Sequence, residues 1–269
     1  MCGRYASSRA PEDLVEEFEI RPPSDAGELP HLEPDFNVAP TKEVYAVVER
    51  PPRAAEDATA SGEPQEPERQ LRALTWGLVP FWAKDPKIGN RMINARMETV
   101  AEKPAYRRAF ERRRAILPAD GYFEWYATQE KTKAGRPRKQ PYFIRPADGG
   151  VLAMAGLYEI WRDPDKAEDA PDRFLWTCTV LTTSAEDSLG HIHDRMPLML
   201  APESYDAWLD PRRNDRDDLL ALLEPAAPGR LEAYPVSTLV SNVKNNGPEL
   251  LEPIPLAEVP DEAPSGASR

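Results

Sequence analysis

The sequence predicts an α+β fold built on a mainly antiparallel sheet that is curved or barrel-like, with flanking helices. Segments with strand character outnumber helical segments, and several follow one another without a helix between them. That order favours antiparallel pairing over the alternating βαβ pattern of a parallel sheet. The sequence contains neither a GxGxxG motif nor a P-loop, so no nucleotide-binding fold of either type is predicted.

Composition and charge are those of an ordinary globular chain. It has 269 residues, of which 41% are hydrophobic and 30% charged. We expect one domain over residues 2–250. Residues 51–68 are rich in Pro, Ala and acidic residues without periodicity, which predicts a disordered insertion, and 257–269 should form a disordered acidic tail. The sequence has no signal-peptide pattern and no long apolar run, which predicts a cytoplasmic protein without a membrane partner.

The first third of the chain is predicted to hold short strands, one helix and one fixed loop. A strand-like start at 3–6 precedes a short helix that opens at Pro11. Two prolines and two turn-forming residues predict that 34–41 is a fixed loop rather than a regular element. Apolar patterning predicts strands at 44–49 and 71–77.

The remaining two thirds are predicted to be rich in strands. The Asp-Gly pair at 120–121 marks a turn, and the basic segment 128–140, with its Gly and Pro, predicts a hairpin loop. Further strands are predicted at 115–118, 122–126, 142–145, 152–158, 174–183 and 231–236, and helices at 104–113, 202–209 and 215–223.

Cys2 follows Met1 directly, so removal of Met1 would leave a free amine and a thiol on adjacent carbons. The reference pKa values, about 7.7–8.0 for an α-amine and about 8.5 for a thiol, leave a reactive fraction of each near neutral pH. Such a 1,2-aminothiol is a nucleophilic site. It also condenses with an aldehyde, first to an imine and then to a five-membered thiazolidine ring. A cysteine at position 2, taken alone, is more often incidental than functional.

The second cysteine, Cys178, lies in an apolar run and is predicted to be a small buried hydrophobe. Two cysteines do not form a disulfide framework. Since the sequence has no CxxC pair and no cluster of His and Cys at metal-ligand spacing, we expect no metal and no other cofactor.

Charge is distributed unevenly along the chain. The formal net charge is −12, which by itself argues against nucleic-acid binding. Between Arg91 and Pro118, however, eight basic and three acidic residues give a local excess of five positive charges. Arg4, Arg96, Arg107 and Arg108 are candidates for holding phosphates, whereas the run 112–114 is expected to be, at least in part, a solvated helix end. The aromatic residues of 76–82 are typical of core packing or of a surface on which bases stack.

Three polar residues are candidates for positioning and proton transfer. On an alternating strand, Glu124 shares a face with Tyr122 and Tyr126, which predicts either a rim carboxylate in water or a carboxyl group with a raised pKa. His193 is the best placed of the three histidines for proton transfer, and a structural histidine in a turn is the alternative. Asn94 is a candidate for hydrogen bonding to the Cys2 amine.

Six motifs, in order and spread over residues 2–246, give the chain a resemblance to a known family. They are MCGRYA, PDFNVAPT, WGLVPFWAK, INARMET, ADGYFEW and HIHDRMP. Each motif alone is weakly specific, but the ordered set resembles the SRAP family (SOS-response-associated peptidases). The resemblance implies an SRAP-like fold and a place in the SOS response to DNA damage.

The resemblance also implies a function and a set of site residues. It implies a monomeric sensor of abasic sites in single-stranded DNA that is associated with the nucleoid when bound. After Met1 is removed, the implied sensor forms a covalent thiazolidine crosslink through Cys2. This crosslink shields the lesion from strand cleavage. The implied activity is crosslinking or lyase-type, with autoproteolytic removal of Met1 as a further activity. The implied catalytic residues are Cys2 as nucleophile, Asn94 positioning its amine, Glu124 in proton transfer and His193 in sugar-ring opening. The implied DNA contacts are Gly3, Arg4, Asn37, Trp82 and Arg96.

Three other interpretations of Cys2 stay open at this point. An N-terminal-nucleophile amidohydrolase would use the thiol on an amide with the α-amine as base. A Cys/His peptidase would pair Cys2 with His193. A non-catalytic single-stranded DNA binder would not need Cys2 at all. Ammonia release from glutamine would identify the first of these.

Overall fold

The computed structural model describes residues 2–21, 29–51, 66–185, 189–223 and 229–255. Residues 52–65, most of the predicted insertion, and the predicted tail lie outside this part of the chain. The expectations for both segments, and that of one domain over 2–250, therefore stay predictions.

Strands dominate the described residues. They are β1 (Tyr5–Ser7), β2 (Asp35–Val38), β3 (Glu43–Arg50), β4 (Glu68–Trp76), β5 (Asn94–Arg96), β6 (Arg114–Ala119), β7 (Gly121–Lys131), β8 (Pro137–Pro146), β9 (Leu152–Arg162), β10 (Phe174–Ser184), β11 (Arg195–Pro197) and β12 (Leu231–Pro235).

Five strands close into a barrel. In the order β10-β4-β3-β6-β9 each strand is hydrogen-bonded to the next, and β9 pairs in turn with β10. The pairs of this ring are antiparallel except β10–β4, which is parallel. Strand β11 extends the sheet beyond β10, and β5 pairs in parallel with β10. The ring confirms the predicted α+β fold with a mainly antiparallel, barrel-like sheet.

A second, antiparallel sheet packs against the barrel. Its strand order is β12-β8-β7-β1-β2, which places β1 between β2 and β7. One of the two large hydrophobic clusters contains residues of both sheets. Within it the rings of Tyr5, from β1, and Trp76, from β4, meet edge to face at 5.0 Å between centroids. The N-terminal strand is thereby fixed against the barrel.

Helices cover the outer face of the barrel strands. They are α1 (Pro11–Glu17), α2 (Arg107–Arg112), α3 (Tyr205–Leu209) and α4 (Arg216–Ala221). Tyr45 and Val47 belong to the cluster beneath these helices, whereas Val44, Ala46 and Val48 belong to the cluster shared with the second sheet. The alternation follows from the period of two along a strand. None of the helices in the described ranges has the length and apolar character that crossing a bilayer requires.

The predicted loop at 34–41 is wrong, because residues 35–38 form β2. The two prolines that suggested a loop, Pro34 and Pro40, flank this strand rather than interrupt it. Strand β2 is the edge of its sheet, where a missing backbone N–H costs no ladder hydrogen bond.

Two further expectations need smaller corrections. The predicted hairpin loop at 128–140 is mostly strand, since β7 continues to Lys131 and β8 begins at Pro137. Arg114, from the run expected to be partly solvated, is 1% exposed, and its guanidinium donates to five backbone carbonyls. Burial lowers its pKa to about 10. Arg112 is exposed, as expected.

Candidate active site

Strand β1 places the N-terminus beside β7. Tyr5 pairs with Tyr122, and the backbone N–H of Phe123 donates to the carbonyl of Arg4 at 2.9 Å. Continuing this antiparallel register brings the first residues of the chain alongside Glu124. Cys2 and Glu124 come together because two segments far apart in sequence share one ladder.

Cys2 is fully buried, with 0% of its surface exposed. Its thiol contacts the Arg4 carbonyl at 3.8 Å from the sulfur. Burial raises the pKa of the Cys2 thiol far above its ordinary value, and the nearby Glu124 carboxylate raises it further. The thiolate that the sequence alone would place within reach is therefore strongly disfavoured, and any reaction at sulfur needs a base that takes up the proton as the new bond forms.

Asn94 holds the backbone of Cys2. It opens β5, and its side-chain Nδ2 donates to the Cys2 carbonyl at 2.6 Å. Trp76 fixes the preceding residue by donating from its indole N–H to the Ile93 carbonyl at 2.9 Å. The Asn94 Oδ1 atom is buried and has no hydrogen-bond partner among the described residues. Asn94 thus bonds the Cys2 carbonyl rather than its nitrogen, and it keeps one unused acceptor beside that residue.

Glu124 is a buried carboxyl group, 5% exposed. Burial raises its pKa above the ordinary value, and the positive charge of His193 partly opposes that effect. Of the two states left open by the strand pattern, the structure has the buried carboxyl group rather than the rim carboxylate. Such a group both donates and accepts protons closer to neutral pH than a solvated glutamate does.

The Nδ1 atom of His193 lies close to two groups of the residues that follow it. Its Nδ1 atom accepts from the backbone N–H of Arg195 at 3.0 Å, which places the proton of the neutral ring on Nε2. The same Nδ1 atom lies 2.9 Å from the Asp194 carboxylate, which would accept from the protonated ring. The histidine side chain is 32% exposed.

An ion pair between Arg195 and Glu98, which the sequence analysis did not predict, links β11 to the turn after β5. The Arg195 guanidinium binds both carboxylate oxygens of Glu98, at 2.6 and 3.0 Å, and also donates to the Thr182 carbonyl at 2.6 Å. Arg195 lowers the pKa of Glu98. Bidentate pairs of this kind are geometrically specific. The segment that carries Asn94 is thereby tied to the one that carries His193. Opposite charges in two of the six motifs, INARMET and HIHDRMP, were the signal available in the sequence.

Arg4 and Asn37, both predicted to touch DNA, are hydrogen-bonded to each other. The Arg4 guanidinium donates to Asn37 Oδ1 at 2.7 Å and to the Val240 carbonyl at 2.9 Å, and it lies over the Trp125 ring. Asn37 is 0% exposed, and its Nδ2 contacts the carbonyls of Val240, Asn242 and Asn245 at 2.9–3.2 Å. In this structure the Asn37 side chain therefore positions Arg4, and its predicted contact with DNA stays a prediction. Gly3, next to them, is partly exposed.

Asn37→Ala should lower the free energy of unfolding by about 2–3 kcal/mol, because buried carbonyls and the Arg4 guanidinium lose their partner. Urea titration measures this change. Asn246→Ala is the matched control. Asn246 accepts from the Phe36 N–H in β2 and donates to the Pro34 carbonyl just before it, but Asn246 is exposed, so its loss should cost less than about 1 kcal/mol. Equal losses in the two variants would contradict the positioning role.

The remaining predicted DNA contacts form an exposed basic and aromatic surface. Phe81 and Trp82 are 48% and 50% exposed, and the Arg108 guanidinium lies 4.3 Å over the Phe81 ring. A groove of about 370 Å³ runs beside Trp82. Its basic lining residues are Lys84, Lys87 and Arg91. Arg96 and Arg107 are also exposed. The structure therefore divides the predicted contacts into an inner group near Cys2 and this outer surface.

A close backbone crossing fixes the segment that carries Trp82. Gly77 has φ +131°, and a Cβ atom there would come within 2.7 Å of the Gly89 carbonyl oxygen. Only glycine fits both the angle and the space. The Leu78 N–H donates to the Met92 carbonyl at 3.1 Å beside this crossing. Trp82 is thus presented by a braced segment rather than a free loop.

Cofactor and disulfide sites were not expected. Within the described ranges, no group of three or more His, Cys, Asp or Glu side chains is arranged to hold a metal ion. Cys178 is a free thiol with 0% exposure, which confirms its prediction as a buried hydrophobe.

Known proteins resemble this chain along almost its whole length. A family model described as SOS response associated peptidase (SRAP) matches residues 1–243. Abasic site processing protein YoqW of Bacillus subtilis (strain 168) is 39% identical over 252 residues, which cover 94% of this chain and 99% of that protein. YedK of Escherichia coli (strain K12) and HMCES of Xenopus tropicalis carry the same descriptive name. YedK is 34% identical, and the match covers 94% of this chain and 100% of YedK. HMCES is 30% identical, and the match covers 100% of this chain and 83% of HMCES.

A solved structure also shares the fold. A protein from Bacteroides thetaiotaomicron superposes with a TM-score of 0.71 at 23% identity, covering 94% of this chain and 100% of the other. At that identity the likeness concerns the fold alone. The family model and the curated relatives go further and confirm the resemblance carried by the six sequence motifs. The chain belongs to the SOS response associated peptidase (SRAP) family.

Proposed function

We propose that this protein processes abasic sites in single-stranded DNA by forming a covalent thiazolidine crosslink between Cys2 and the ring-opened sugar, once Met1 has been removed. The observation that carries the proposal is the meeting of Cys2, Asn94 and Glu124 at one buried point, with His193 close enough to influence the Glu124 carboxyl. The names of the 30–39% identical relatives, all abasic site processing proteins, support the choice of lesion.

The first step joins the Cys2 amine to the lesion. An abasic sugar is mostly a closed hemiacetal, and His193 would assist its opening to the aldehyde by moving a proton. The amine adds to C1′, and loss of one water gives an imine. The unused acceptor of Asn94 supports this step, because Oδ1 lies beside Cys2 and would orient one amine hydrogen.

The second step closes the ring. The thiol sulfur adds to the imine carbon while its proton passes to the nitrogen, so no further atom is lost. Because burial disfavours the free thiolate, proton removal has to accompany S–C bond formation. Glu124 is suited to relay that proton, since its raised pKa makes it a stronger base than a solvated carboxylate. A bare imine would be open to β-elimination and strand cleavage, so ring closure protects the DNA.

Intact mass spectrometry after denaturing electrophoresis tests the proposal. Protein shown to lack Met1 is mixed with single-stranded DNA that carries one abasic site, beside an undamaged strand. We expect a heat-stable adduct on the damaged strand only, with the mass of the protein without Met1 plus the DNA minus one water. Protein that retains Met1 serves as control and should give no adduct. Absence of an adduct with confirmed Met1 loss would contradict the proposal, and glutamine hydrolysis would then test the amidohydrolase alternative.

Trp82→Ala should weaken binding of undamaged single-stranded DNA about tenfold, because base stacking on an exposed aromatic contributes about 1–3 kcal/mol. Fluorescence anisotropy measures the affinity. Trp82→Phe keeps an aromatic face and should retain most of it. An alanine variant that binds like the original chain would remove Trp82 from the proposed DNA surface.

A further inference from the structure

Two aromatic residues beside the candidate site have no part in the proposed chemistry. Tyr126 follows Glu124 by two residues on β7, so the two side chains lie on the same face of the strand, roughly 7 Å apart along it. His191 precedes His193 by two residues, in the turn before β11. We call Tyr126 and His191 the aromatic rim. Each of its members is two residues away from a group that the proposed reaction uses.

The two rings of the aromatic rim come from distant parts of the chain and contact each other. Their centroids lie 6.4 Å apart, with 60° between the ring planes. The Tyr126 ring also meets that of Tyr142, on β8, edge to face at 6.4 Å and 79°. Leu189 and Ile192 are buried in the cluster that both sheets share and anchor the turn that carries His191. The Tyr126 ring is therefore held in place by its neighbours.

Exposure to solvent separates the aromatic rim from the tyrosines beneath it. Tyr122 and Tyr142 belong to the cluster that both sheets share, and they are 1% and 4% exposed. Tyr126 is partly exposed, and His191 is exposed. Core packing accounts for the two buried rings, but it leaves aromatic surface of the rim open to a ligand beside Glu124.

The aromatic rim and the surface that carries Trp82 approach Cys2 from different sheets. Trp82 lies between β4 and β5 of the sheet that forms the barrel, and β5 carries Asn94, which bonds the Cys2 carbonyl. Tyr126 lies on β7 of the second sheet, which pairs with the N-terminal strand. Cys2 therefore lies where the two sheets meet. A DNA strand attached to Cys2 at its lesion can extend towards Trp82 in one direction and towards Tyr126 in the other.

We propose that the aromatic rim binds the base of the nucleotide next to the abasic site, on the side of the lesion away from Trp82. The inference rests on the proposed function and gives that site a second stacking position. Every base has a π face, so stacking on Tyr126 accepts any neighbouring base. The abasic nucleotide has no base of its own to stack. Its neighbours therefore supply contacts that hold C1′ in position for the Cys2 amine.

Binding of an unreactive lesion tests the inference without relying on the crosslink. The probes are single strands of about ten nucleotides with a central tetrahydrofuran, which has no aldehyde. Two further strands also lack the base on its 5′ side or on its 3′ side. Fluorescence anisotropy measures the affinities. Base removal on one of the two sides should weaken binding by the original chain about tenfold.

Tyr126→Ala should weaken binding of the strand with both neighbouring bases by about the same factor, tenfold, and should no longer respond to base removal on that side. His191→Ala should show the same pattern with a smaller loss, because an imidazole offers less stacking area than a phenol ring. Tyr126→Phe keeps the aromatic face and should bind like the original chain. Thermal melting checks that the variants are folded, and His191→Ala answers the question if Tyr126→Ala does not fold.

Two further variants serve as controls. Trp82→Ala should still respond fully to base removal on the side assigned to Tyr126, and it should lose its response on the other side. Phe174→Ala removes a ring that is also exposed, but Phe174 begins β10, at the end away from the residues that pair with β5. This variant should bind all three strands like the original chain.

Three outcomes decide the inference. It is wrong if the original chain binds all three strands equally, or if folded Tyr126→Ala responds to base removal as the original chain does. It is also wrong if Tyr126→Ala binds normally and slows adduct formation equally whichever neighbouring base is missing, because the ring then only supports Glu124. If the base dependence is found but no adduct forms with a true abasic site, the proposed crosslink fails and the stacking position stands.

Discussion

A Cys2→Ala chain that has lost Met1 should form no heat-stable adduct with an abasic strand, while an imine that borohydride can reduce should persist. Alanine keeps the α-amine, so the addition to C1′ and the loss of water remain available. Without sulfur the thiazolidine ring cannot close. The imine is then exposed to β-elimination, and the fraction of cleaved strand should rise above that seen with the original chain.

Denaturing gels with and without borohydride measure both products. Cys178→Ala is the matched control, because Cys178 is the other buried thiol and should leave the adduct intact. A heat-stable adduct formed by Cys2→Ala would show that sulfur is not part of the linkage. Loss of the reducible imine as well as the stable adduct would show that the Cys2 amine is not the first nucleophile.

Glu124→Gln should slow formation of the stable adduct by about 10²- to 10³-fold, the range typical of removing a general acid–base group. Glutamine preserves the shape of the side chain but cannot accept the proton of the buried thiol. Single-turnover kinetics with saturating abasic DNA measures the rate, and anisotropy with undamaged DNA should give an unchanged affinity. A rate within threefold of the original would remove Glu124 from proton transfer.

Glu124→Gln should make the folded protein more stable at pH 7, although it slows adduct formation. The raised pKa of Glu124 means that the folded state favours its protonated form, so stability from this group is present below the ordinary carboxyl pKa and is lost as pH rises through the raised value. Glutamine is neutral throughout. Glu124→Gln should therefore raise the melting temperature at pH 7, and the difference should shrink near about pH 4. A melting temperature below that of the original chain at pH 7 would contradict this account.

Local patterns in the sequence predicted most strands correctly. They gave the wrong prediction where the position of a segment in its sheet determines whether it forms a strand. Strand β2 was missed because Pro34 and Pro40 predict a loop, and only its place at a sheet edge makes the prolines compatible with a strand. The hairpin of β7 and β8 was predicted too short because its outer part is polar and exposed. Closure of the barrel depends on the parallel pairing of β10 with β4, two strands far apart in the sequence, and no local period encodes that pairing.

The sequence was sufficient to select the candidate site residues by their chemical type, but it did not predict how deeply they are buried. Residue type and position singled out Cys2, Asn94, Glu124 and His193. Burial of the Cys2 thiol and of Asn37 follows from the packing of two sheets, and neither residue type predicts it. The hydrogen bonds that Asn37 makes to Arg4 and to the Val240 carbonyl have the same cause. A polar side chain surrounded by backbone carbonyls is recognised only once those carbonyls have been placed by the fold.

The pairing of β1 with β7 sets the time at which Cys2 becomes buried during synthesis. Cys2 is fully buried, and its strand pairs with β7, which begins at Gly121. The N-terminus of a nascent chain therefore stays accessible until that strand has left the ribosome. At about 5–20 residues per second, this interval lasts roughly ten seconds. Removal of Met1, which the proposed crosslink requires, can therefore take place on the nascent chain before Cys2 is buried.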